Sequence, residues 1–77
     1  MKIDTLLAPI LKSKAPLRLD DSPDTISAWD SLAHIQLIIA VEEVVHGELT
    51  TKEIMSLTSI AKIIEICKTR GVGLTVE

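Results

Sequence analysis

Aromatic residues are almost missing from this chain: its 77 residues include one Trp and no Phe or Tyr. An aromatic-rich core is thereby excluded, and the interior must be built from Ile, Leu and Val. Only three glycines and three prolines are present, too few for an all-β fold with many tight turns. Cys67 is the single cysteine, so no internal disulfide can form. It falls on an apolar stripe, which favours a buried structural thiol over a reactive one. No apolar run is long enough to span a bilayer. The N-terminus has no basic region, long apolar core and small-residue cleavage site of the kind a signal peptide carries, so a cytoplasmic chain is expected.

Catalytic equipment is also scarce. There is no Gly-x-Ser-x-Gly elbow and no phosphate-cradling glycine loop. His34 and His46 have no cysteine near either, so no metal site is expected. Bases are few in the middle of the chain. Residues 19–53 hold eight acids against one base, Lys52, within a formal net charge of −3. An acidic centre repels nucleic acid and suits partners with basic docking surfaces, although a solvated acidic surface explains most of these residues equally well.

What is present is helical periodicity. Ile3, Leu6, Leu7, Ile10 and Leu11 predict a first helix over about residues 3–13, with Asp4 as a candidate cap. Pro9 either kinks that helix or is tolerated near its start. Residues 14–28 read as a long loop, marked by Pro16 and by Asp20-Asp21-Ser22-Pro23-Asp24. Leu17, Leu19, Ile26 and Trp29 are its expected points of attachment to the bundle.

A second helix is expected from Ser31 to about Val45, with Asp30 as N-cap. Its core face should hold Ala33, Leu37, Ile38, Val41, Val44 and Val45. Ser31, Ile35, Gln36, Ile39, Glu42 and Glu43 fall on the other face. Ile35 and Ile39 are then either part of a docking surface or buried under the third helix. Leu32 is expected to tuck inward beside the serine. His46 and Gly47 mark the end, with Gly47 the candidate left-handed cap.

Thr50-Thr51-Lys52-Glu53 reads as a capping box opening a short third helix through about Met55. Leu57-Thr58-Ser59 is a second cap signal. Ile60, Ile63, Ile64 and Cys67 mark the inward face of a fourth helix, Lys68 and Arg70 suit its C-terminal dipole, and Gly71 ends it. Residues 72–77 read as a flexible tail on a single domain.

The string Trp29-Asp30-Ser31-Leu32-Ala33-His34-Ile35-Gln36-Leu37, with Glu42-Glu43 further on, resembles the modification site of acyl carrier proteins. Its position in the chain and the chain's length agree, and the resemblance covers nearly the whole sequence. It implies an all-α four-helix bundle with three main helices, one short helix and a long first loop, working as a monomer. It also implies a 4'-phosphopantetheine arm, transferred from coenzyme A to Ser31, whose thiol carries an acyl group as a thioester. Asp30 and Leu32 would flank the arm, and Ile35, Gln36, Ile39, Glu42 and Glu43 would meet partners. Those partners would be a phosphopantetheinyl transferase, an acyl- or aminoacyl-loading ligase or synthase, and downstream acyl-transfer enzymes. Such a chain is not itself an enzyme, because the transferase brings the activation.

Two positions depart from the family pattern. Many carriers end the second helix with an aromatic residue and then a glycine, where this chain has Val45 and His46. Many fatty-acid-synthase carriers also have acids directly after the serine, where this chain has Ala33, His34, Ile35 and Gln36. The departures point to a specialised pathway, such as polyketide, surface-polysaccharide or aminoacyl-linked synthesis. A rival from another class is an unmodified helical adaptor acting only through protein contacts. A small hydrolase using Ser31 with His34 ranks third, because nothing supplies an orienting residue or an oxyanion hole.

Overall fold

The computed structural model describes residues 1–12 and 16–76. Four helices follow in order: α1 (Ile3–Leu11), α2 (Ser31–Val45), α3 (Thr51–Ser56) and α4 (Ile60–Thr69). They form an all-α four-helix bundle with a long connection after α1. Its core is aliphatic, as the composition required. Ile3, Leu7, Leu11, Leu37, Val41, Leu57, Ile60 and Ile63 are fully or almost fully buried, and Trp29 and Cys67 join them.

α1 stops two residues earlier than the periodicity predicts. Lys12 turns into the left-handed region (φ 53°) and donates its N–H to the Ala8 carbonyl, which closes the helix. Residue 13 of the predicted helix, like residues 14 and 15 of the loop, lies outside the described residues. The helix runs through Pro9, which sits on its exposed side near the C-terminal end. Asp4 does not cap α1. The N-cap is Lys2, and Asp4 Oδ2 instead accepts from the Leu17 backbone N–H at 3.0 Å. As the second residue of the helix, Asp4 lies past the N-cap position, and its carboxylate is turned to the loop.

The loop between α1 and α2 is held at both side chains and backbone. Leu17 and Trp29 are buried and Ile26 is half-buried. Leu19 is not an apolar attachment point, since its side chain is 52% exposed. Its carbonyl makes the attachment, accepting from Ala61 N–H at 3.1 Å, while the Asp21 carbonyl accepts from Ile60 N–H at 2.9 Å. These are the first N–H groups of α4, which have no partner inside their own helix. The loop thus supplies acceptors that α4 lacks.

α2 has the predicted bounds. Its inner row, Ala33, Leu37 and Val41, is buried, and Ile38 and Val45 pack partly against the core. Val44 is half-buried. The left-handed cap is His46 (φ 56°) and not Gly47, because α2 ends one residue earlier than a glycine cap would place it. Histidine is among the non-glycine residues that enter this region most readily.

The capping box of α3 is complete. Glu53 N–H donates to Thr50 Oγ1 at 3.1 Å, and Thr50 N–H donates to Glu53 Oε1 at 2.9 Å. Ser59 caps α4 by accepting from Lys62 N–H. The inward face of α4 is Ile60, Ile63, Ile66 and Cys67, with Ile64 only half-buried, so Ile66 takes the place expected for Ile64. Gly71 ends the helix region at φ 83°. Of residues 72–77, read as a flexible tail, residue 77 lies outside the described residues and the others include specific attachments. Leu74 is buried, Ile3 N–H donates to the Thr75 carbonyl, and Thr75 N–H donates to the Met1 carbonyl. The two chain ends therefore meet in one short parallel bridge between Lys2 and Thr75.

Candidate functional site

The start of α2 is built from three consecutive residues with different tasks. Trp29 is buried and fixes the approach of the chain. Asp30 has extended backbone, and its Oδ1 accepts from Ala33 N–H at 2.9 Å while its carbonyl accepts from His34 N–H at 2.9 Å. The first is the capping bond and the second is the first hydrogen bond of the helix itself, and together they fix the first turn. Ser31 is the first helical residue and is exposed. Its hydroxyl makes no hydrogen bond within the described residues. The N–H groups of Ser31 and Leu32 have no acceptor among the described residues and lie at the positive end of the helix dipole.

An open groove of about 790 Å³ lies beside Ser31. It is lined by the loop at Ser22, Pro23 and Asp24, by Trp29, His34 and Ile35 from α2 and the residues that lead into it, and by Ile54, Met55, Leu57 and Thr58 from α3 and the turn after it. Apart from Ser31, Asp30 and the loop residues, its lining is mainly apolar.

The outer face of α2 continues this apolar lining. Ile35 is 56% exposed and Ile39 52%. They are not buried under α3, so the alternative of a covered face does not hold. Leu32 does not tuck inward. It is 66% exposed, because the N-cap geometry directs position 33, not position 32, to the core. Leu32, Ile35 and Ile39 thus form an i, i+3, i+7 row on the solvent side. Met55 of α3, 74% exposed, adds to the patch across the groove. Gln36 and Glu43 are exposed on the same helix. Glu42 is half-buried and partly committed elsewhere, since its Oε2 accepts from Leu49 N–H at 2.9 Å and holds the α2–α3 connection.

Three features escaped sequence reasoning. Met55 is not marked by the sequence pattern, because a six-residue helix gives too little periodicity to show which side faces water. His34 is half-buried: its Nδ1 accepts from the Trp29 indole Nε1–H at 3.1 Å, and the two rings lie 21° from parallel. The contact spans the N-cap, where helical spacing no longer applies. Arg70, expected to act on the dipole of its own helix, reaches across to α3. Its Nε donates to Glu53 Oε2 at 3.0 Å, its Nη2 to Glu53 Oε1, and its Nη2 also to the Glu48 carbonyl at 2.9 Å. This fork holds the Glu53 carboxyl down to about 2. Burial raises the Cys67 thiol above its ordinary value, in keeping with a structural cysteine.

No group of three or more potential metal ligands occurs among the described residues, and no helix among them is long and apolar enough to cross a membrane. Comparison of the chain with protein-family models, with curated proteins and with solved structures finds no match.

Proposed function

We propose that this chain is an acyl carrier protein of a specialised biosynthetic pathway, with a 4'-phosphopantetheine arm on Ser31. The observation that carries the reading is the exposed, unengaged Ser31 hydroxyl at the first position of α2, opening onto an apolar groove. The residues present fit such an arm. A phosphodiester at Ser31 would stand at the positive end of the α2 dipole, near the free N–H groups of Ser31 and Leu32. Asp30 leaves those two donors free, because its carboxylate is turned to Ala33 N–H. When bound, the arm would supply the thiol that holds an acyl group as a thioester.

The chain's own residues present this hydroxyl rather than activate it. His34 Nδ1 is engaged by the indole N–H of Trp29, so in the neutral ring the proton sits on Nε2. That ring has no free lone pair with which to take the Ser31 proton. Activation from outside, by a transferase, is in keeping with this. Leu32, Ile35, Ile39 and Met55 would then give the apolar part of the contact with transferase and acyl-handling enzymes, and Glu43 its charged rim.

The test is direct. Incubation with coenzyme A, magnesium and a broad-specificity phosphopantetheinyl transferase should add one arm by intact mass, and Ser31→Ala should abolish the addition. No addition with several transferases would overturn the carrier reading in favour of an unmodified adaptor.

A further inference from the structure

The indole of Trp29 does more than fill the core. It is 4% exposed, and its N–H has one partner, His34 Nδ1. An indole N–H can only donate, so the ring nitrogen facing it must accept. This fixes both the orientation and the tautomer of His34: Nδ1 faces the core and Nε2 carries the hydrogen. Nε2 has no partner within the described residues, and His34 lines the groove together with Ser31. On a helix, residues three apart are surface neighbours, and the side chain leans toward the N-terminal turn. His34 is therefore held over the turn that begins with Ser31, with a neutral N–H donor left free.

We propose that Trp29 sets His34 as a neutral Nε2–H donor that positions the phosphodiester of the arm on Ser31. The inference rests on the carrier reading and adds a positioning residue to it. A neutral donor orients the phosphate without adding a cation. The first helical turn has the free N–H groups of Ser31 and Leu32, and Nε2–H would complete a set of donors around one anion.

The experiment uses the full chain, labelled with ¹⁵N-histidine and converted to the holo form by transferase and coenzyme A. Long-range ¹H–¹⁵N spectra should show His34 as the Nε2–H tautomer in both forms, with the Nε2–H proton moving downfield on conversion. Two variants separate the ring's two roles. In His34→Asn the side-chain oxygen can still accept from Trp29, but the distal donor is gone, so the fold is kept and the ³¹P resonance of the arm should move away from its wild-type position. In His34→Gln the amide nitrogen reaches about as far as Nε2, and the wild-type ³¹P position should be largely restored. Trp29→Phe should leave a mixture of both tautomers. An Nδ1–H tautomer in the wild type, or an identical ³¹P resonance in the wild type and His34→Asn, would overturn the inference and leave the carrier reading standing. Failure of the wild type to gain an arm by mass would overturn both, and is seen before any spectrum is taken.

Discussion

Leu37 and Val41 on the inner side of α2 are fully buried, whereas Leu32, Ile35 and Ile39 on its outer side leave more than half their surface in water. Both rows are aliphatic and only the direction differs. The inner row removes apolar area from water at roughly 25 cal/mol per Å² and so stabilises the bundle. The outer row gains little of this, yet it is continuous with Met55 and the groove beside Ser31. Single exposed aliphatics are ordinary on a protein surface, but a contiguous patch next to an exposed nucleophilic hydroxyl suggests a contact surface. One helix thus feeds the core on one side and leaves an apolar row in water on the other.

The comparison breaks most visibly at the inner row. Leu37→Ala should cost about 2–5 kcal/mol, because it removes buried methyl groups and leaves a cavity that neighbours fill only in part. That is a large share of the stability of a domain this small. Val41→Ala should cost less, since fewer atoms are lost. Denaturant midpoints that barely move in Leu37→Ala would mean that the inner side of α2 does not hold the bundle.

How much of this division was legible in the sequence depends on what each signal measures. Ala33, Leu37 and Val41 were placed correctly, because a 15-residue helix repeats its pattern often enough to fix a face. Asp30, Thr50 and Ser59 were legible as caps, because each acts within a few residues of itself. Leu32 was misplaced because it stands at the helix start, where one residue of phase decides between core and water. Leu19 and Asp21 were not legible in their actual role. Their carbonyls bind α4, and a backbone acceptor leaves no mark in the side-chain pattern. The same holds for Trp29 with His34 and Arg70 with Glu53, which are contacts between elements. The expectation that Arg70 serves its own helix followed from a local rule, and a partner 17 positions away lies beyond any local rule.

A smaller effect, with a definite pH signature, sharpens the contrast from α3. The Arg70 fork ties α4 to α3, the helix that carries Met55. The Glu53 carboxyl is lowered from 4.5 to about 2, mainly by its hydrogen bonds from Arg70 and the Thr50 backbone. A lowered carboxyl binds its proton less readily in the folded state than in the unfolded one. Its contribution to stability is therefore fully present above pH 4.5, and is lost as pH falls through about 2. Glu53→Gln should accordingly melt below the wild type at neutral pH, and the gap should close as the solution is acidified across that window. A gap that stays constant with pH would show that the loss comes from a poor fit of the amide in the fork and not from the missing charge.

The smallest effect on stability is expected where the effect on recognition is largest, at the outer row of α2. Ile39 is 52% exposed, so Ile39→Ser should leave the unfolding free energy within about 0.5 kcal/mol of the wild type. An enzyme that accepts an arm on Ser31 must approach this face, and apolar residues at the centre of such a contact carry much of its energy. The rate of modification at limiting protein should then fall roughly tenfold, equivalent to about 1.4 kcal/mol. Charge at the rim acts differently, on encounter and orientation rather than on the final contact. Glu43 is the clean probe of it, because Glu42 also holds the Leu49 N–H and its reversal would mix docking with folding. Glu43→Lys should slow association with a basic partner at low salt, and the deficit should shrink as salt is added. Melting temperature set against modification rate decides the matter. If Ile39→Ser lowered the melting temperature and left the rate per folded molecule intact, the outer row would belong to the fold, and the two sides of α2 would not differ in kind.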